Sequence, residues 1–596
     1  MDDLAITKSS DSPYTVLDEA SQEIRLLELL PGEHDSDIVM NLHVKAPQEG
    51  LRYITLSYVW GKERCPRPVQ VNGKHLTIGR NLDCALRHIR DNTTDLLAGT
   101  TMLWVDALCI DQTDVQERSH QVRIMGQIYA SAIDMVIWLG PEREDTTFIL
   151  AKIRGGELPE GTEVVLVLKA LKRLCRRPWF GRLWIAQELA LSADPNVLVG
   201  HQSLRWNCFH DFVSRIDDRA TAMRGTESKW WPYYACEYFQ RASRRILNLG
   251  IIKGGVDASL QDRLKVTTSL LASDPRDKVY GLLNICKFAC DHVGIKPDYT
   301  KSVRRVFAEV TYAMLLEDFC PYAVFALQPQ YSDVTRRAMV PTRITGLPSW
   351  VLDLTIDTKQ PFFFLGSPGR PSRFLESRAF YSMSLSWKCG LQAHIKVDEE
   401  LTRLSVIGNY LGTIVETTGS TFDTQGDDYH YATVITPRVL HDAYLMIAKP
   451  RHIPIEVFIQ AIMGGHDGSS EDEAALVQIV QESISTQDTF MLGGQHTFHI
   501  DNVVFVTAEG QVGRAYHPDF ENGIRAGDIV VGLFGINYPF ILRKVPAENG
   551  EETVYTMVNV AYITGHEWGH DFVKSAPDDE EWPDIEKYGL QRYTIV

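Results

Sequence analysis

Glu188 is the residue in this chain whose type and surroundings most demand a chemical explanation. It lies in residues 177–192, a run in which Leu183, Trp184, Ile185, Ala186, Leu189, Ala190 and Leu191 cover nearly every direction. An ionisable group among such neighbours is costly unless it has a partner or a task. It has a chemical task in a pocket, or it closes an ion pair with Arg177 or Arg182. Read as one helix, the run starts at Pro178, where the missing N–H costs nothing. Trp184 and Glu188, four apart, then share a face and can line one pocket.

Other carboxylates fall near strand ends. Asp106 lies inside an apolar run at residues 103–110, with Asp111 and Gln112 just beyond it. Tyr58, Trp60 and Gly61 close the β-rich run at residues 53–60. Ligands of open α/β sheets bind beyond the carboxyl ends of strands, so both groups belong to a ligand-binding edge. The alternative for Asp106, and likewise for Asp111, is a structural carboxylate that caps backbone amides. His566-Glu567-Trp568-Gly569-His570 fits the H-E-x-x-H zinc pattern letter for letter. That chemistry requires a helix presenting both imidazoles to one metal. Gly569, the strand-like run before it and Pro577 after it oppose a helix, so a zinc hydrolase at His566 and His570 is only a remote alternative. The ten cysteines include no CxxC pair, and no metal site is expected from spacing.

These residues need elements to position them. Residues 14–205 alternate strand and helix patterns, which predicts a right-handed parallel sheet. Asn72-Gly73 marks a hairpin, residues 103–110 a central strand, and Thr113 with Gln116 a capping box for the next helix. Residues 206–330 read as helical, including a capped start at Asp274-Pro275. Residues 331–596 are β-rich, with strands near 404–407, 502–506, 528–534, 540–543 and 558–563, a helical insert at about 455–487, and an acidic stretch at 575–584. The domains expected are therefore 1–205, 206–330 and 331–596, in keeping with the length of 596 residues.

A net charge of −17 argues against a general nucleic-acid binder or a binder of anionic membranes. No apolar run is long enough to span a bilayer. The first residues lack the apolar core of a signal peptide, so a cytoplasmic location with reduced thiols is expected.

Together these blocks resemble a known family. Residues 53–61 and 103–112 are similar to the first two signature blocks of the fungal heterokaryon-incompatibility (HET) domain. Residues 117–122 through Trp138-Leu139-Gly140 resemble the third, and residues 179–188 the fourth. The segments at 274–280 and from Gly527-Asp528 to Leu542-Arg543 also resemble long fungal proteins that carry the domain. The resemblance implies a role in non-self recognition between strains, triggering regulated cell death. It also implies an N-terminal fold similar to the flavodoxin-like Toll/interleukin-1 receptor (TIR) domain. Trp184-x-x-x-Glu188-Leu189 looks like a helix of that domain whose Glu, in enzymatic members, is required for NAD cleavage.

Carried over, Glu188 would be catalytic, and Tyr58, Trp60, Gly61, Asp106, Asp111 and Trp184 would bind substrate, Tyr58 or Trp60 by stacking. Cleaving the nicotinamide–ribose bond builds oxocarbenium-like charge on the ribose, which a buried carboxylate stabilises. The resemblance implies no cofactor, NAD being the substrate. The partners implied are a protein sensed in non-self recognition and further copies of the chain. A non-enzymatic signalling and protein-interaction module is the alternative.

Overall fold

The computed structural model describes residues 13–46, 50–92, 96, 99–223, 233–254, 258, 260–286, 295–316, 344–355, 395–418, 434–435, 437–463, 470–486, 498–499, 502–516, 523–533, 539–546, 552–563 and 590–596. The chain divides into two compact units, residues 1–302 and 303–596.

One mixed sheet organises the first unit. Its strands are β1 (Ile24–Leu29), β2 (Val39–Lys45), β3 (Ile54–Ser57), β4 (Val69–Val71), β5 (Lys74–Leu76), β6 (Met102–Trp104), β7 (Asp134–Trp138), β8 (Asn196–Val199) and β9 (Gln202–Arg205). They lie in the order β5-β4-β2-β1-β6-β3-β7-β8-β9. The expected parallel sheet is its centre: β6, β3, β7 and β8 run parallel, and antiparallel β1 and β9 flank them. All four residues of β3 are buried, as befits a strand covered on both faces. Asn72 and Gly73, both at positive φ (51° and 75°), make the tight turn between β4 and β5.

The helices of this unit are α1 (Arg80–Asp91), α2 (Asp106–Cys109), α3 (Val115–Ser131), α4 (Thr146–Gly155), α5 (Glu163–Cys175), α6 (Ile185–Leu191), α7 (Trp206–Ala222), α8 (Tyr233–Gly254), α9 (Leu260–Thr267) and α10 (Asp277–Tyr280). Three local expectations are corrected. The strand predicted at 103–110 stops at Trp104, because the amides of Leu108 and Cys109 turn back to the Val105 carbonyl at 2.9 and 2.7 Å. Asp114, not Thr113, caps α3 by accepting from the amides of Gln116 and Glu117. The hydroxyl and amide of Thr113 are both engaged by Asp111.

Nor is residues 177–192 one helix. A 3₁₀ turn at Pro178–Gly181 is followed by extended backbone at Arg182, and α6 starts only at Ile185. The cause is competition for the backbone: Leu271 donates to the Gly181 carbonyl and accepts from the Leu183 amide (2.6 and 2.9 Å).

The second unit starts with α11 (Val303–Leu316) and β10 (Lys396–Val397), which pairs with β11 (Leu404–Thr417). Strands β12 (Val434–Ile435) and β13 (Phe498–His499) pair with each other. The helical insert expected at about 455–487 holds α13 (Ile455–Met463) and α14 (Ser470–Thr486), and α12 (Pro437–Ala443) precedes it; the apolar faces of all three meet Val504, Val506 and Val512. The remaining strands are β14 (Asn502–Thr507), β15 (Val512–Tyr516), β16 (Ile529–Leu533), β17 (Pro539–Lys544), β18 (Val554–Ile563) and β19 (Leu590–Ile595). The ladder β11-β14-β15-β18-β17-β16 returns to β11 and closes an antiparallel barrel. Leu411, Ile414, Phe505, Val530 and Ile541 contribute to its core. Register shifts at 410–412 and 414–416 let long β11 serve two neighbours. Inside the barrel wall, Arg543 grips Asp528 through Nε and Nη2 at 2.9 and 2.8 Å.

Among the described residues no helix is long and apolar enough to cross a membrane. The motif at 566–570 and the acidic stretch at 575–584 lie outside the described residues.

Candidate functional site

β3 lies between β6 and β7, so the chain lays down its next two parallel strands on opposite sides of it. Beyond the carboxyl ends of β3 and β6 the sheet presents Ser57, Tyr58 and Trp60 from one strand end and Asp106 from the other. Such a position is where open α/β sheets gather ligands.

Glu188 reaches this edge from α6. It is buried, accepts a short hydrogen bond from the Ser57 hydroxyl, and faces Arg182 across 3.5 Å. Ser57 in turn accepts from the Trp179 indole N–H at 2.7 Å. The extended backbone at Arg182 is what places its guanidinium here, since in a continuous helix residues 182 and 188 would diverge. Arg177, the other partner considered for Glu188, instead donates to the carbonyls of Leu139 and Pro141 at 2.8 and 3.0 Å.

Asp106 is the second carboxylate of the cluster. It is half-buried, accepts from the Trp60 indole N–H at 3.1 and 3.0 Å, and caps the Ala107 amide at 2.7 Å. The Tyr58 hydroxyl also bonds to it. Burial raises the pKa of Asp106, while Arg182, Trp60, Ala107 and Tyr58 oppose the shift. Burial likewise raises that of Glu188; Arg182 and Ser57 hold it down, and Asp106 pushes it up. The Tyr58 hydroxyl is held well above its ordinary range, first by burial and then by Asp106. Two carboxylates thus share one guanidinium. With both ionised, the cluster carries an excess negative charge around the buried Glu188. At the same time Arg182 Nη1 is a buried donor with no hydrogen-bond partner among the described residues. Such a centre suits a cation that also offers an oxygen acceptor.

The other sequence-predicted residues are spread around this cluster. Tyr58 is only 2% exposed, so its ring is packed away, whereas Trp60 is half-buried and Gly61 exposed at positive φ. Asp111 binds the amide and hydroxyl of Thr113 at 3.0 and 2.6 Å. Its own amide donates to Glu117, which Arg25 grips through both nitrogens at 2.6 and 2.9 Å.

Trp184 turns away from Glu188. Its indole N–H donates to Asp277 Oδ2 at 3.2 Å, and Tyr299 donates to Asp277 Oδ1 at 2.7 Å. Burial, aided by the neighbouring Asp274, pushes the Asp277 carboxyl up to about 6 despite these bonds. Arg118 and Arg276 cover the Tyr299 ring at 4.4 and 5.2 Å. Trp184 and Glu188 still lie one helical turn apart, the Glu188 amide donating to the Trp184 carbonyl at 3.1 Å, but their side chains take different partners and do not line one pocket as expected.

Sequence reading did not single out Ser57, Trp179 or Tyr129. Ser57 is a polar residue ending an apolar strand, a signal that could have been used. Tyr129 is buried on α3, where Glu188, Asp106 and Arg182 all act on its hydroxyl; nothing in its helical spacing separates it from other core positions.

Comparison with known proteins places this geometry in context. Residues 53–188 match the family model described as "Heterokaryon incompatibility protein (HET)". The match contains β3, Asp106, Arg182 and Glu188, and so the whole carboxylate cluster. Over 398 residues the chain is 28% identical to "Heterokaryon incompatibility protein 6, OR allele" of Neurospora crassa. That alignment covers 56% of this chain and 58% of the relative's length. No solved structure matches the chain.

Proposed function

We propose that this protein acts in fungal heterokaryon incompatibility as a cytoplasmic cell-death effector, and that its first unit cleaves NAD at the nicotinamide–ribose bond. The matched family and the Neurospora relative support the incompatibility role. The observation that carries the chemistry is the cluster of Glu188, Asp106 and Arg182, two carboxylates to one guanidinium at the carboxyl ends of β3 and β6. Nicotinamide bound to ribose is cationic; the glycosidic electron pair leaves with neutral nicotinamide, the charge passes to the sugar carbon, and water adds to that carbon and gives its proton to solvent. Glu188 stabilises the charge, and Nη1 of Arg182 takes a sugar oxygen. Trp60, half-buried beside Asp106, is the ring placed to stack on a base. The order β6-β3-β7-β8, read as 2-1-3-4 among parallel strands, supports a flavodoxin/TIR-like core. Sensing of a partner protein and self-association then control activity, as in innate immune signalling.

The test is nicotinamide release from NAD by the purified full chain at high protein concentration. Wild type should release nicotinamide and Glu188→Gln should not. Equal, negligible release from both, with cell killing intact in Glu188→Gln, refutes the enzymatic reading. One observation favours a second reading, a non-enzymatic module: the Ser57–Glu188–Arg182 bonds already satisfy the Glu188 carboxylate as a structural ion pair. On that reading Glu188→Gln alters stability but not killing.

A further inference from the structure

A separate cluster lies away from these carboxylates, where the C-terminal end of α1, the loop between β1 and β2, and the turn between β8 and β9 meet. His34 comes from the loop, Asp91 from the end of α1, and His201 from the turn. Their ligand atoms all lie within 4.8 Å of one another. Both imidazoles direct Nδ1 at the same oxygen, Asp91 Oδ2, at 2.5 Å from His34 and 3.9 Å from His201. We propose that His34, Asp91 and His201 bind a divalent cation of the zinc class.

Geometry supports this in three ways. Tetrahedral zinc with nitrogen and oxygen ligands separates its ligand atoms by about 3.3 Å, and the two distances to Asp91 Oδ2 bracket that value. The two imidazoles themselves lie within 4.8 Å of each other, so they close on one ion by small side-chain rotations. Two imidazoles and one carboxylate are also the donor set of open zinc sites, the fourth position going to water. Finally, the ligands are held from behind. Arg87 donates to the His34 and Ser36 carbonyls at 2.6 and 2.8 Å, and Arg90 to the Asp37 carbonyl at 3.1 Å. These bonds anchor the loop that carries His34.

A third histidine orders the rings. His88 donates through Nδ1 to the Cys84 carbonyl at 2.8 Å and packs against His201, Trp138 and His34, with centroids at 4.5, 4.8 and 5.2 Å. It is a positioning residue. The C-terminal end of α1 adds its carbonyl dipoles, which favour a cation there. Of the two guanidiniums of α1 near the site, Arg87 is neutralised by Asp83 at 2.9 Å, while Arg90 donates to the His34 and Asp37 carbonyls at 3.2 and 3.1 Å. The ligand side chains keep 42%, 22% and 55% of their surface, so a cation reaches them without unfolding.

The experiment uses the full chain, stripped with chelator and titrated with zinc chloride alone. Bound metal is counted by elemental analysis and affinity measured by calorimetry. His34→Ala with His201→Ala should lose one equivalent of zinc, and Asp91→Asn alone should weaken that site at least tenfold. A paired His566→Ala and His570→Ala variant should keep the equivalent. Zinc should raise the melting temperature of wild type but not of the His34/His201 variant, whose metal-free melting temperature and circular dichroism report its folding. Unchanged stoichiometry and affinity in the His34/His201 variant overturn the proposal. So does a wild type that binds no zinc, or loss of the equivalent only in the His566/His570 variant.

Discussion

Removing the guanidinium that two carboxylates share tests the core of the candidate site. Arg182 faces Glu188 at 3.5 Å and keeps 17% of its side-chain surface. At an effective dielectric of about 20, one such pair is worth about 5 kcal/mol before desolvation. Breaking a buried pair while leaving a charge behind costs about 3–5 kcal/mol. Arg182→Met strands Glu188 and Asp106 together, so its cost should reach that range at pH 8. Glu188→Gln, which keeps the Ser57 contact and removes a buried charge, should cost about 1–2 kcal/mol.

In the double variant the stranded charge is reduced, so it should be more stable than the sum of the singles by at least about 1.5 kcal/mol. The Arg182→Met penalty should also shrink toward pH 5. Without Arg182 the folded-state pKa values of both carboxyls rise further above their unfolded values, so the folded state binds more protons and stability falls as pH rises through that window. Urea unfolding followed by tryptophan fluorescence is the assay; eight of the twelve tryptophans precede residue 303 and report the first unit. Additive singles within about 0.5 kcal/mol, or an Arg182→Met cost that does not change with pH, refute the shared-charge account.

Three further outcomes follow from other parts of the molecule. Asp277, raised from 3.8 to about 6 by burial, takes up a proton on folding between those values, so its contribution to stability falls as pH rises from 4 to 6. The stability difference between Asp277→Asn and wild type should therefore shift in favour of the variant by about 2 kcal/mol from pH 4 to pH 7; a flat difference in urea melts over that range contradicts the shift. A Cβ at Gly126 on α3 would stand 2.6 Å from Asn284 Cβ. Gly126→Ala should thus destabilise by about 1–3 kcal/mol even though alanine is the better helix former, and a higher melting temperature would show that the contact yields. In the barrel, a Cβ at Gly408 would meet the Gly532 carbonyl at 2.8 Å. Gly408→Ala should lower the urea midpoint of the second unit, whereas an unchanged midpoint would mean that β11 and β16 part without cost.

The elements were legible wherever a short-range pattern decides them. The apolar run of β3, the Asn72-Gly73 turn and the strand spacing beyond residue 400 follow from side-chain periodicity and allowed backbone angles, which neighbouring residues set. A carboxylate in an apolar segment likewise marked Glu188, because the cost of burying charge can be inferred before any partner is known. Other features depend on residues distant in the chain. Leu271 competes for the backbone of residues 181–183 and breaks the expected helix there, which lets Arg182 meet Glu188, and Trp184 finds Asp277, distant in the chain. The closing of β11 onto both β14 and β16 is a matter of long-range register.

His34, Asp91 and His201 have no spacing that a motif could match, and only the meeting of a loop, a helix end and a turn brings them together. Local sequence thus determined which segments are strand or helix and where a charge is anomalous. Tertiary structure decided which charges meet, since Coulomb and hydrogen-bond energies depend on distances that the order of residues along the chain does not contain.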